Sequence, residues 1–181
     1  YWMRTTPPTA STELARVFDE EILLLAESLL SLPRCSDLAQ KQLFLPARMG
    51  GLGLRVMKQV VQTSWLASLA QSVQYTARYT DANSLSRDLT TEIEAALFHL
   101  AGIPDMKALP KSAPDFWNEF AHQPAGPGMQ RVLTETIHEE LHNAMRTEVK
   151  DNVAEIARLI AVNAEHSGIW LTLSPTHHLL R

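Results

Sequence analysis

The sequence predicts an all-α protein: an irregular helical bundle with one glycine-rich turn and one proline-rich connecting segment. Three observations lead there. Apolar residues recur at spacings of three and four along most of the chain, and no stretch carries a convincing strand pattern or an internal repeat. Three of the seven glycines fall within LPARMGGLGLR, Leu45 to Arg55. Five of the ten prolines, Pro104, Pro110, Pro114, Pro124 and Pro127, break the chain into short irregular pieces.

The elements follow in order. Leu14, Val17, Phe18, Ile22, Leu25, Leu29 and Leu32 form an apolar face at helical spacing, with Ser11 or Thr12 as the cap and Pro33 as the stop. A short helix from about Ser36 to Gln42 leads into the glycine loop. From Val56 to about Tyr79 a long helix carries few charges, and its Val60, Val61, Ser64, Trp65, Ala67, Ser68 and Leu69 predict burial on more than one side. A third long helix covers roughly Ser84 to Leu100. The proline-rich stretch follows, with a short aromatic helix around Phe116, Trp117 and Phe120. One long helix is then expected from about Gln130 towards His166, ended by Gly168, with Ile169, Trp170 and Leu171 folding back onto a core. Residues 1–101 read as one helical region containing the turn, and 102–181 as the connector with the long helix.

Composition narrows the function. Apolar residues make up 45% and charged residues 20% of the 181, a soluble, globular balance. No window approaches the apolar run of a membrane span, and the first residues lack the apolar core of a signal peptide. Tyr1 in place of a methionine is expected of a processed product or, as the favoured expectation, of a piece excised from something longer. Cys35, the single cysteine, admits no internal disulfide and no thiolate zinc site within the chain, which fits a reducing compartment, nucleus or cytoplasm. It lacks the paired-His signature of a nucleophile. The net charge of −4 argues against strong autonomous nucleic-acid binding. The charge is unevenly spread, however. Arg34, Lys41, Arg48, Arg55 and Lys58 meet only Asp37 within residues 34–58, so this window is +4 and the remainder −8.

The glycine loop does not fit a phosphate-binding motif. A P-loop needs Gly-Lys-Ser/Thr, and Gly53 is followed by Leu54 and Arg55. A dinucleotide fingerprint needs a third glycine where Val56 stands, between a strand and a helix. The expected role is a structural turn. Pro46 stops the preceding segment, Gly50 and Gly51 can take positive φ and at least one of them is expected to, Gly53 belongs to the same turn, Leu45, Leu52 and Leu54 anchor the loop, and Arg48 and Arg55 rim it.

LPARMGGLGLR followed by VVQTSWLASLA resembles a stretch of the reverse transcriptases of non-long-terminal-repeat retrotransposons. Leu45-Pro46, Gly50 to Arg55, Trp65 and Ala67-Ser68 match that family's LP-x-x-x-GGLGLR turn and the helix after it. Upstream, Tyr1, Arg4, Thr5 and Pro7-Pro8 resemble a Y-x-x-R-T-x-P-P segment, and Phe18-Asp19 an F-D pair. Downstream, Gln130-Arg131, Leu133-Thr134 and Ser167 to Leu171 resemble family features. The likeness is densest from Leu45 to Ser68 and thin from Tyr79 to Met129.

The resemblance implies the region after the polymerase palm: a helical thumb and linker beside upstream palm and fingers of the same polyprotein, with an RNA/DNA template–primer duplex as partner. The family's Tyr/Phe-Ala-Asp-Asp motif and its Cys/His knuckle do not occur here. The expectation is a non-catalytic fragment with no cofactor, no metal and no membrane partner. Arg34, Lys41, Arg48, Arg55 and Lys58 would meet the nucleic-acid backbone, with Arg48, Arg55 and Lys58 gathered at unpaired amides where the Val56 helix starts. The alternative is a protein-interaction module that kept the fold and lost that role.

One competing motif stands in IHEELHNAM. His138-Glu139-Glu140-Leu141-His142 satisfies H-E-x-x-H, the pattern in which two imidazoles share a zinc and Glu139 activates water. A third ligand would have to be Glu165 or His166, which a continuous helix would hold several turns away. A solvated helix face is the expected reading, and His177-His178 reads as tail.

Overall fold

Serine hydroxyls set several helix starts. Ser36, Ser86 and Ser112 each accept a hydrogen bond from the amide three residues on, those of Ala39, Leu89 and Asp115, at 3.2–3.3 Å. The computed structural model describes residues 2–31, 34–103, 106, 109–123, 125–126, 128–162 and 164. Seven α-helices stand among them: α1 Pro8–Leu29, α2 Asp37–Leu43, α3 Met57–Thr76, α4 Arg87–Ala101, α5 Ala113–His122, α6 Met129–Glu148 and α7 Val153–Val162. Short 3₁₀ turns cover Trp2–Arg4, Ala47–Met49 and Ala82–Ser84. The described residues contain no strand, and none of their helices is long and apolar enough to cross a membrane.

Two helices differ from the sequence expectation. α1 starts at Pro8, whose fixed φ and missing N–H suit a first helical turn. Ser11 and Thr12 therefore lie inside the helix, and their hydroxyls donate to the carbonyls of Pro7 (3.0 Å) and Pro8 (2.7 Å) instead of capping. The single long helix expected from Gln130 is in fact two. Residues 149–152 turn, and the Asn152 side chain accepts from the Glu155 amide at 3.2 Å, so it caps a new helix instead of prolonging the old one. The expected stop at Leu32-Pro33, and the fold-back of Ile169 to Leu171, lie outside the described residues.

The chain forms two compact units, residues 1–26 with 56–140 and residues 27–55 with 141–181. In the first, α3 is the central rod. It buries Val60 through Ala67, then Ala70 and Val73, on every side. Its small residues let neighbours approach closely. Ile93, Ala96, Leu97 and Leu100 of α4, Phe116, Trp117 and Phe120 of α5, and Leu133 and Ile137 of α6 join Trp65, Leu66 and Val73 in the main core. The Phe116 and Phe120 rings meet edge to face at 4.8 Å. The Trp117 indole donates to the Thr80 carbonyl at 3.2 Å. Met3 and Ala15 pack on Val60 and Val61 as a second cluster. In the second unit Leu45, Met145, Val149 and Leu159 form the core, flanked by Leu38, Met49, Leu141 and Ile156.

The apolar face read from α1 is not its buried face. Ser11, Ala15 and Ala26 are buried, whereas Leu14 is 59%, Phe18 48%, Leu25 53% and Leu29 75% exposed. Ala15 is the α1 residue that joins Met3, Val60 and Val61, and the larger α1 side chains turn outward.

Candidate nucleic-acid interface

The glycine loop is a backbone cap on α2. Five consecutive amides point inward: Met49 and Gly51 donate to Pro46, Gly50 to Ala47, Leu52 to Leu43 and Gly53 to Leu45, at 2.8–3.2 Å. The last carbonyls of a helix have no partner within it, and Leu52 supplies one for Leu43. The Gln42 side-chain Nε2 also donates to the Gly50 carbonyl at 2.9 Å. Gly50 takes φ 77° and Gly53 φ 74°, in the left-handed region. Gly51 is needed for space instead: a Cβ there would sit 2.5 Å from the Gln42 carbonyl oxygen and closer still to that of Leu45. Leu45 is fully buried beneath the turn. With those amides spent internally, the loop cannot cradle a phosphate on its backbone from Met49 to Gly53.

The loop backbone being spent, the basic window offers charge only through its side chains. Arg34 is exposed ahead of α2, Arg48 on the 3₁₀ turn and Arg55 on the extended segment after the loop. Lys41, in the last turn of α2, is half-buried and joins Glu148 of α6 at 2.6 Å. Arg34, Lys41, Arg48 and Arg55 belong to the second unit; Lys58, exposed on α3, belongs to the first.

The start of α3 departs from expectation. Its amides are not unpaired. The Asp19 carboxylate of α1 accepts the amide hydrogens of Met57 at 2.7 Å and Lys58 at 3.0 Å, and the amides of Gln59 and Val60 both donate to the Val56 carbonyl. A carboxylate thus fills the place expected for a phosphate. Glu13 adds local negative charge: its hydrogen bond to Arg16 and that cation's charge hold it below the usual carboxylate range, with Lys58 contributing less. Lys58 therefore lies within electrostatic reach of Glu13. The sequence signalled Asp19 only through the F-D pair, since a cap donated from 38 residues away leaves no local pattern.

The HEELH segment lies on α6, with Glu139 exposed and His138 and His142 half-buried. Burial, then the Arg146 charge, hold the His142 imidazole below its ordinary range. The helix break at residues 149–152 removes the distance argument against Glu165 and His166, which lie outside the described residues. Among the described residues no three His, Cys, Asp or Glu side chains converge on one point. Cys35 is half-buried, its amide donates to Glu27 at 2.8 Å, and burial followed by the Glu27 charge pushes the thiol up, away from the reactive thiolate.

Comparison of the chain with protein-family models, with curated proteins and with solved structures finds no match.

Proposed function

We propose that this chain is a non-catalytic helical thumb-and-linker fragment of a retroelement reverse transcriptase that contacts the backbone of a template–primer duplex. One observation carries the reading. Two pieces of the resemblance meet within the first unit, where Asp19 of the F-D pair caps the helix that carries Trp65, Ala67 and Ser68. In the second unit the LP-x-x-x-GGLGLR turn uses Gly50, Gly51 and Gly53 for distinct backbone reasons, which supports reading it as a motif. Arg34, Arg48 and Arg55 are exposed cations that would meet phosphates, and contacts of this kind position a duplex without reading its sequence.

The test is a salt titration of binding to an RNA–DNA duplex. Log affinity should fall linearly with log salt, and Arg48→Ala with Arg55→Ala should flatten the slope by roughly one unit for each phosphate no longer neutralised. No binding by the parent at low salt, or an unchanged slope in the double variant, overturns the reading.

A second reading, a helical protein-interaction module, is favoured by the row of exposed large apolar side chains on α1. A contiguous uncovered apolar surface marks a contact site more often than an accident of packing.

A further inference from the structure

Two surfaces of this chain are complementary to one another. The first is the outer face of α1. At 3.6 residues per turn, Leu14, Phe18, Glu21, Leu25 and Leu29 fall within roughly 80° of arc, a ridge about four turns long. The helix carries Glu13, Asp19, Glu20, Glu21 and Glu27 against the single base Arg16. Arg16 pairs with both Glu13 and Glu20, and Asp19 is engaged at α3, which leaves the exposed Glu21 in the middle of the ridge. The ridge is apolar and acidic.

The second surface is a groove of about 620 Å³ between the second half of α6 and α7. Its apolar wall is built by Ile156, Leu159 and Ile160, and Ile160 is 59% exposed. Its polar lining includes Arg146 and Lys150, both exposed, beside His142, and among the described residues no acidic side chain lines it. That volume accepts a ridge of side chains from a helix laid across it rather than the helix itself. The groove is apolar and basic.

We propose that the α1 ridge of one copy docks in the α6–α7 groove of a second copy, so that the chain associates head to tail. Leu and Phe side chains of α1 enter between the isoleucines, and Arg146 and Lys150 meet Glu21 in the middle of the ridge. A ridge donated to a groove elsewhere on the partner is a heterologous contact, which adds copies in series unless the rotation closes a ring. The contact area of one helix is small, so association should be of order micromolar and weakened by salt. Neither surface includes Arg34, Arg48 or Arg55, so this association stands whether or not the chain binds a duplex.

Sedimentation velocity over roughly 10 to 500 µM, the range such a contact calls for, tests it. The parent chain should grow in mass with concentration, and less so at high salt. Two variants isolate the halves: Phe18→Gln with Leu25→Gln removes the ridge, and Arg146→Glu with Lys150→Glu reverses the groove. All four positions are exposed, so folding should survive; Leu29→Gln, at the most exposed ridge position, serves if the first pair does not fold. Each variant alone should stay monomeric. Their equimolar mixture keeps one intact ridge and one intact groove, and should form dimers and nothing larger. A monomeric parent throughout, self-association of the groove variant through paired ridges, or a mixture that stays monomeric would each overturn the proposal.

Discussion

Replacing Asp19 by alanine tests whether α1 and α3 are joined by the contact described. The carboxylate accepts two amide hydrogens, at 2.7 Å from Met57 and 3.0 Å from Lys58, at the end of α3 where the helix dipole favours negative charge. Losing a side-chain cap costs about 1–2 kcal/mol, and losing an anion at a helix start about 0.3–1 kcal/mol more. The Lys58 amide can turn to water, whereas the Met57 amide is partly buried and is left without a partner. The sum is about 2 kcal/mol. For a chain of this size that lowers Tm by roughly 4–8 °C. Hydrogen exchange gives the local reading: amides from Met57 to Gln59 should lose protection by roughly 30-fold, since every 1.4 kcal/mol is tenfold. Asp19→Asn keeps one acceptor oxygen without the charge and should lose about half as much. An alanine variant with Tm within about 1 °C of the parent and unchanged exchange at these amides would refute the reasoning.

Three further changes probe other parts of the molecule. Gly51→Ala places a Cβ against the carbonyls of Gln42 and Leu45, and should cost about 2–3 kcal/mol, seen as earlier urea unfolding of the Leu45 core, whereas Gly50→Ala should cost about 1 kcal/mol for its left-handed backbone. Among the described residues Gln62 is buried with its Oε1 unpartnered, so Gln62→Met should raise stability by about 1 kcal/mol in thermal melts; a drop of that size would mean the oxygen has a partner after all. His142 is held below its ordinary imidazole value, chiefly by burial. Between the folded value and the unfolded one near 6.5 the unfolded chain binds more protons, so stability should fall as pH drops through 6.5. His142→Gln should flatten that step in melts at pH 8, 7 and 6.

The helical class was written in residue spacing, because a side chain's face follows from its position along a rod of 3.6 residues per turn. The same held for α3: Val60, Val61, Ser64, Trp65 and Ala67 predicted burial on several sides, and α4 and α5 with their neighbours surround it. The glycine turn was legible in kind, since positive φ is a local property, and Gly50 and Gly53 adopt it. The separate reason for Gly51, two carbonyls that leave no room for a Cβ, arises from how the loop folds over α2 and has no signal in its neighbours. Periodicity showed that α1 has an apolar face, but which face is covered depends on what packs there. Ala15 fits against Val60 and Val61, so Leu14, Phe18 and Leu25 turn outward. Apolar spacing does not register the break before α7, because the Asn152 cap competes with helix continuation by a small margin. The basic window could be counted in the sequence, yet its meaning could not. Lys41 is tied to Glu148, 107 residues on, and the amides of Met57 and Lys58 are held by Asp19, pairings set by chain folding over distances that no local pattern spans.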